Sequence, residues 1–295
     1  MSNNVSILLV FVGALFSFSC SSPTTLPTRT LDKSKATDFH MHIHSPPKVH
    51  DDLEFNAGRA LLAADSVGIS RALLLSNAYS VGSTKAYTVK ENDFIISQAA
   101  KLKGKASAAC AVNPKKIWWR DELKRCASLN VKVLKLHFMA SGMDLRKMTD
   151  FELASKVLQE AEHNHLTIII HANYPKTYRS GEIEKIKELI ERFKNVRWII
   201  GHAFGREIEL LKNLNHPNYF VELSVVPIWA KTESDKIKLA ENIRSVGVSK
   251  FVFGSDWPVI HPAEEMKAFE ALPLTAEEKN EILYDNPLKL DDLFK

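Results

Sequence analysis

The spacing of histidines and carboxylates carries the first chemical signal in this chain. Asp38-Phe39-His40-Met41-His42-Ile43-His44 repeats a polar residue at every second position, the period of a β-strand, so alternation alone puts Asp38, His40, His42 and His44 on one face. Two neutral imidazoles so spaced can chelate one cation, with further His and carboxylate ligands supplied by other segments. The sequence offers such groups: Lys135-Leu136-His137, His171, His202 and Ser255-Asp256 each close a short apolar or β-branched run. A divalent ion in an open site of this kind acidifies water and polarises a carbonyl, while a carboxylate beside it takes up a proton. A lone strand-end histidine is usually an ordinary polar group, so the argument rests on several of them converging.

Convergence requires that the runs be strands of one sheet. Eight runs are legible: Ala36 to Ile43, Arg71 to Ser76, Ala106 to Val112, Val131 to Phe138, Thr167 to Ala172, Arg197 to His202, Tyr219 to Leu223 and Phe251 to Ser255. Amphipathic stretches separate them, including Leu53 to Val67, Glu91 to Leu102, Asp121 to Leu129, Phe151 to His163 and Ile183 to Phe193. This alternation predicts an α/β fold, a single (β/α)8 TIM barrel over residues 36–295, with an open doubly wound sheet as the alternative. Chemistry in such a barrel collects at the carboxyl ends of the strands, and His40, His42, His44, His137, His171, His202 and His261 all fall at or just after those ends. His50, His163, His165 and His216 fall in helical or loop patterns and are expected to be solvated.

Composition sets the remaining bounds. The chain has 295 residues, 45% hydrophobic and 25% charged, which excludes collagenous, disordered and disulfide-scaffold classes. Its 39 basic and 35 acidic residues are interspersed, which argues against a nucleic-acid footprint. Val5 to Phe18 is an apolar run too short to span a bilayer but suited to a signal peptide, so residues 1–19 are read as a cleaved signal and 20–35 as a flexible tether. The segment resembles a bacterial lipoprotein signal, with Cys20 as the lipidated residue. That implies an exported, lipid-anchored protein of the cell envelope, held to the membrane only at Cys20. Cys110 and Cys126 lie sixteen residues apart, and nothing in the sequence forces them to pair.

Taken together, these motifs resemble the amidohydrolase superfamily, most closely its amidohydrolase-related (amidohydrolase 2) branch of (β/α)8 metal enzymes. The resemblance rests on Phe39-His40-Met41-His42 after an Asp; on ASAACAVNP from Ala106 to Pro114; and on VKVLKLH from Val131 to His137. It continues through Ile169-Ile170-His171, Ile200-Gly201-His202, Phe253-Gly254-Ser255-Asp256-Trp257-Pro258 and the late Asn286-Pro287. It implies His40, His42, His171 and Asp256 as ligands of one divalent ion, zinc, with manganese or iron as alternatives. His202 would orient or polarise the water or substrate carbonyl, and Asp256 would serve as the base, with His202 as its runner-up. Some relatives bridge two ions through a carbamylated lysine, so Lys135, His137 and His44 are candidates for a second ion or for substrate. Arg179, Tyr174, Tyr178, Trp229 and His261 follow strands and could line the pocket mouth. Glu222, inside the seventh run, is expected only to support a ligand.

The implied activity is hydrolysis of a C–N or C–O bond, in a small-molecule amide, lactone or ester, through a metal-activated water. Decarboxylation of a small aromatic or dienoic acid is the first alternative, and a non-catalytic tethered binding protein is an alternative of another class. The substrate and the oligomeric state are not legible in the sequence.

Overall fold

In the computed structural model, which describes residues 33–45, 56–172 and 181–295, all eight runs are strands of one sheet. They are β1 (Thr37–His42), β2 (Arg71–Leu75), β3 (Ala106–Ala111), β4 (Val133–Leu136), β5 (Thr167–His171), β6 (Trp198–Gly201), β7 (Tyr219–Glu222) and β8 (Phe251–Val252). Each strand pairs in parallel with the next in sequence. The seam from β8 back to β1 is held by the Phe39 amide donating to the Phe253 carbonyl at 3.0 Å and by a bridge between Met41 and Trp257. The sheet is thus nearly closed into a barrel, consistent with the TIM architecture.

Parallel neighbours need long crossovers, and helices supply them: α1 (Ala57–Asp65), α2 (Lys85–Lys101), α3 (Trp119–Ser128), α4 (Met148–His163), α5 (Glu182–Arg192), α6 (Val226–Trp229), α7 (Glu233–Val246) and α8 (Pro262–Glu270). Their starts are written locally. Asn56 and Thr84 accept from backbone amides of α1 and α2, and Thr232 with Asp235 forms a capping box on α7. His261 Nδ1 accepts from the Ala263 amide at 3.2 Å, with Pro262 in the first turn of α8.

The core divides into an outer layer between sheet and helices and an inner layer filling the barrel, where Leu73, Val133, Ile169 and Ile199 meet Leu290 and Leu293 from the end of the chain. That terminal segment plugs the end at which the strands begin. Asp291 accepts from Arg71 at 2.7 Å and Lys35 at 3.0 Å, Asp292 takes both Arg197 Nη atoms at 2.9 and 2.7 Å, and the Arg71 guanidinium lies 4.3 Å above the Phe294 ring.

Two local readings of the sequence, the β1 alternation and a solvated His216, are corrected, and the pairing left open for the two cysteines is decided. Simple alternation along β1 fails: Phe39 packs in the inner layer while Met41 and Ile43 pack in the outer one, and the β1–β2 register shifts between Asp38 and Met41. Cys110 of β3 and Cys126 of α3, both buried, are joined in a disulfide. His216 is buried because its Nε2 donates to the Phe193 carbonyl at 3.0 Å and its Nδ1 accepts from the Asn218 amide at 3.1 Å. His163 and His165 are exposed as expected, and His50 lies outside the described residues.

Candidate metal centre

The irregularity in β1 aims the site. Asp38 Oδ1 accepts from the His40 amide at 2.9 Å and from the Ser255 amide at 3.0 Å, while the Asp256 amide donates to the His40 carbonyl at 2.8 Å. These bonds lock the His40–His42 segment against the segment that follows β8. Asp256 itself sits in the left-handed region at φ 64°, which turns its carboxylate toward the two rings. Its Oδ1 lies 3.4 Å from His40 Nε2 and 3.7 Å from His42 Nε2. His40, His42 and Asp256 each offer one donor atom within 4.8 Å of the others.

This donor set fits a divalent metal. Burial, and then the neighbouring Lys135 and imidazoles, hold His40, His42, His137 and His202 well below the usual histidine pKa. The rings are therefore neutral, and a neutral imidazole has one nitrogen lone pair that can coordinate a cation. Burial also pushes Asp256 and Glu222 up, against the pull of Lys135, and pushes Lys135 down. Lys135 is fully buried with its Nζ 3.1 Å from His40 Nε2, the nitrogen that also faces Asp256.

A second pair stands beside the first group. His171 Nδ1 lies 3.0 Å from His202 Nε2, and the His171 ring stacks on His137 with centroids 3.8 Å apart and planes 9° from parallel. His171 is thus paired with His202 and is not within the His40, His42 and Asp256 group. His202 is delivered by a left-handed turn in which His202, Ala203, Phe204 and Gly205 have φ of 57°, 46°, 58° and 57°. Glycine is required at the end of β6, because a Cβ on Gly201 would stand 2.8 Å from the Ile170 carbonyl oxygen and 3.4 Å from His40 Cε1.

The remaining candidates separate. His44 is claimed by Glu91 of α2, 3.3 Å from its Nδ1, and by Asn77, 2.9 Å from its Nε2, so its ring has other partners despite its equal spacing. His137 has its Nδ1 accepting from the Ala140 amide at 3.4 Å and its ring beside Tyr79, 5.1 Å between centroids. His261 caps α8 and stands edge-on to Trp257, which gives it a structural occupation; Trp229 is 39% exposed at the end of α6. Arg179, Tyr174, Tyr178 and Cys20 lie outside the described residues.

Two residues carry more than the sequence suggested. Glu222, fully buried, accepts from His40 Nδ1 at 2.7 Å, and Ser224 bridges it to His202. The available signal was the two-residue step from Glu222 to Ser224 at the end of a strand.

The family model described as Amidohydrolase matches residues 37–290. This chain belongs to the amidohydrolase-2 family. Members of this family are metal-dependent, and His40, His42 and Asp256 give this amidohydrolase-2 chain a set of metal donors. Solved structures share its fold. A probable 2-pyrone-4,6-dicarboxylic acid hydrolase from Acinetobacter baumannii, with citric acid bound, matches with a TM-score of 0.62 and 16% identity, covering 88% of this chain and 99% of that one. The 5-carboxyvanillate decarboxylase from Sphingomonas paucimobilis gives 0.64 and 14%, covering 87% and 98%. A dihydroxybenzoic acid decarboxylase from Polaromonas, with manganese and 2-nitroresorcinol bound, gives 0.61 and 14%, covering 88% and 97%. No curated protein matches the chain. Membership in this family makes the chain an enzyme of the amidohydrolase-2 family and gives a non-catalytic role no support.

Proposed function

We propose that this amidohydrolase hydrolyses a small carboxylated lactone, ester or amide, with His40, His42 and Asp256 as metal ligands and Asp256 also as the base. The observation that carries the reading is the Asp256 carboxylate, 3.4 and 3.7 Å from the His40 and His42 nitrogens and with a side chain 16% exposed, so that it meets both the donors and solvent. When bound, a divalent ion supplies polarisation of the scissile carbonyl and acidification of water. Asp256, whose proton affinity is raised by burial, takes the proton of the attacking water as its oxygen bonds to the carbonyl carbon. The same proton then passes to the departing oxygen or nitrogen as the C–O or C–N bond breaks. His202 stands where it can steady the carbonyl side.

A carboxylated substrate is favoured by the acids named with the related structures. Zinc, manganese and iron all suit this mixed nitrogen and oxygen set. Decarboxylation is the second reading, because a carboxyl group that holds its proton near neutrality can also deliver it to a carbanion.

The test joins elemental analysis of the purified protein to a panel of lactones, esters, amides and aromatic acids assayed with carbon dioxide detection. About one ion per chain and turnover without gas release are expected. Two ions would bring Lys135, His171 and His202 into a second position, and carbon dioxide release would replace hydrolysis with decarboxylation.

Export and lipid anchoring at Cys20 belong to the same proposal, and a buried disulfide between β3 and α3 suits an oxidising compartment. No helix among the described residues is long and apolar enough to cross a membrane. Cys20→Ser is expected to move the protein from the membrane to the soluble fraction; unchanged retention rejects the anchor.

A further inference from the structure

Glu222 and Ser224 form a hub behind the imidazoles. Both are fully buried, and the Ser224 Oγ lies 2.9 Å from Glu222 Oε2, 2.9 Å from His202 Nδ1 and 3.5 Å from His40 Nδ1. His40, His202 and Glu222 are close enough to hold a cation, but the serine hydroxyl already joins all three, which makes the group a hydrogen-bonded junction.

The direction of each bond follows from the groups that have only one role. Backbone amides can only donate, and those of Ser224 and His202 reach Glu222 Oε1 and Oε2 respectively, so both carboxylate oxygens are acceptors. The Ser224 hydroxyl proton then goes to Glu222, which leaves a serine lone pair for His202 Nδ1. A carbonyl can only accept, and the Ser224 carbonyl lies 3.3 Å from that same nitrogen, so two acceptors face it and it must carry the proton. His40 Nδ1, 2.7 Å from Glu222 Oε2, carries a proton for the same reason.

We propose that Glu222 and Ser224 are a positioning pair that fixes His40 and His202, on neighbouring parts of the barrel, as Nδ1–H tautomers, with the Nε2 lone pair of His40 turned toward Lys135 and Asp256 and that of His202 toward His171. One carboxylate sets His40 directly and His202 through the serine hydroxyl. The pair fits only because residue 254 is glycine: a Cβ there would stand 2.0 Å from Glu222 Oε1 and 2.5 Å from its Cδ. The inference rests on His40 and His202 acting through Nε2 in the proposed reaction, where outer partners of ligating imidazoles are worth about 10- to 100-fold in metal affinity or activity.

The test is histidine 15N NMR on the full-length protein, before and after chelation, with circular dichroism as the check on folding. Wild type is expected to show both rings protonated at Nδ1. Ser224→Ala should give His202 a mixed tautomer population, since only the longer carbonyl contact remains, and should leave His40 unchanged; Ser224→Thr should restore the wild-type state. Glu222→Gln should disturb His40. On any substrate found, Ser224→Ala should lower kcat about 10- to 100-fold with KM unchanged, and Thr should rescue it. An Nε2–H ring at either position in wild type, or a folded Ser224→Ala protein with His202 purely Nδ1–H, overturns the proposal. The tautomer readout needs no substrate, so failure of every hydrolysis assay would sink the proposed activity and leave this inference standing.

Discussion

The two ends of the barrel bury charge in opposite ways. Where the strands begin, each buried or half-buried ion meets its opposite: Arg71 and Lys35 converge on Asp291, and Arg197 grips Asp292. Hydrogen bonds from Lys35 and Arg71 hold Asp291 below the ordinary carboxylate range, and those from Arg197 do the same for Asp292. Where the strands end, burial outweighs pairing. Four imidazoles are held neutral, four carboxyls, Asp38, Glu222, Asp256 and Glu265, are pushed up and a lysine is pushed down. Five of the seven non-glycine residues with positive φ among the described residues also lie there: His202, Ala203, Phe204, Val225 and Asp256. The first end keeps its charges satisfied and fixes the fold; the second keeps lone pairs and protons available at a cost in stability, as functional sites do.

A crossed pair of substitutions gives the largest test of that contrast. Asp256→Asn should lower kcat/KM by about 10²- to 10⁴-fold, the range for loss of a general base, with no loss in the denaturation midpoint. Arg71→Ala removes the donor shared by the Thr37 hydroxyl, the Lys35 carbonyl and Asp291, and should cost about 3 kcal/mol of stability with kcat/KM unchanged at a temperature where the variant is folded. Urea titration and steady-state kinetics on both proteins check it. Unfolding by the first change, or inactivation by the second, would erase the division between the ends.

The sequence made the strands legible because each is a short apolar or β-branched run that closes on a polar residue. Strand ends differed where the site bends the chain: β8 leaves the ladder after Val252, before Gly254 yields its side-chain space to Glu222 and Asp256 turns left-handed. His42-Ile43-His44 and His40-Met41-His42 are equivalent by spacing, and the contacts of His44 with Glu91 from α2 and with Asn77 separate them. Glu222 and His40 are 182 residues apart, so no local pattern could pair them, and the Cys110–Cys126 bond likewise depends on how α3 lies against β3.

A change at one further group on the strained side leaves the proposed ligands untouched. Glu265 of α8 is fully buried, and among the described residues no side chain pairs with its carboxyl oxygens, the Val225 amide being the one donor that counters its burial. Burial, aided by the nearby Glu222 and Asp38, raises its pKa from 4.5 to about 9. Between those values the native protein holds a proton that the unfolded chain has lost, so the bound-proton difference is negative and this group makes stability fall as pH rises, by at most about 1.4 kcal/mol per unit. Asp291 acts with the opposite sign: its pKa is lowered, so its contribution is present above the unfolded value of 3.8 and is lost as pH falls below it. Glu265→Gln should therefore flatten the decline of wild-type stability between pH 5 and pH 8, read as urea midpoints at about those two values. Parallel profiles for the two proteins would mean that Glu265 is solvated or paired after all, and that the unsatisfied character of this end stops at the residues facing the pocket.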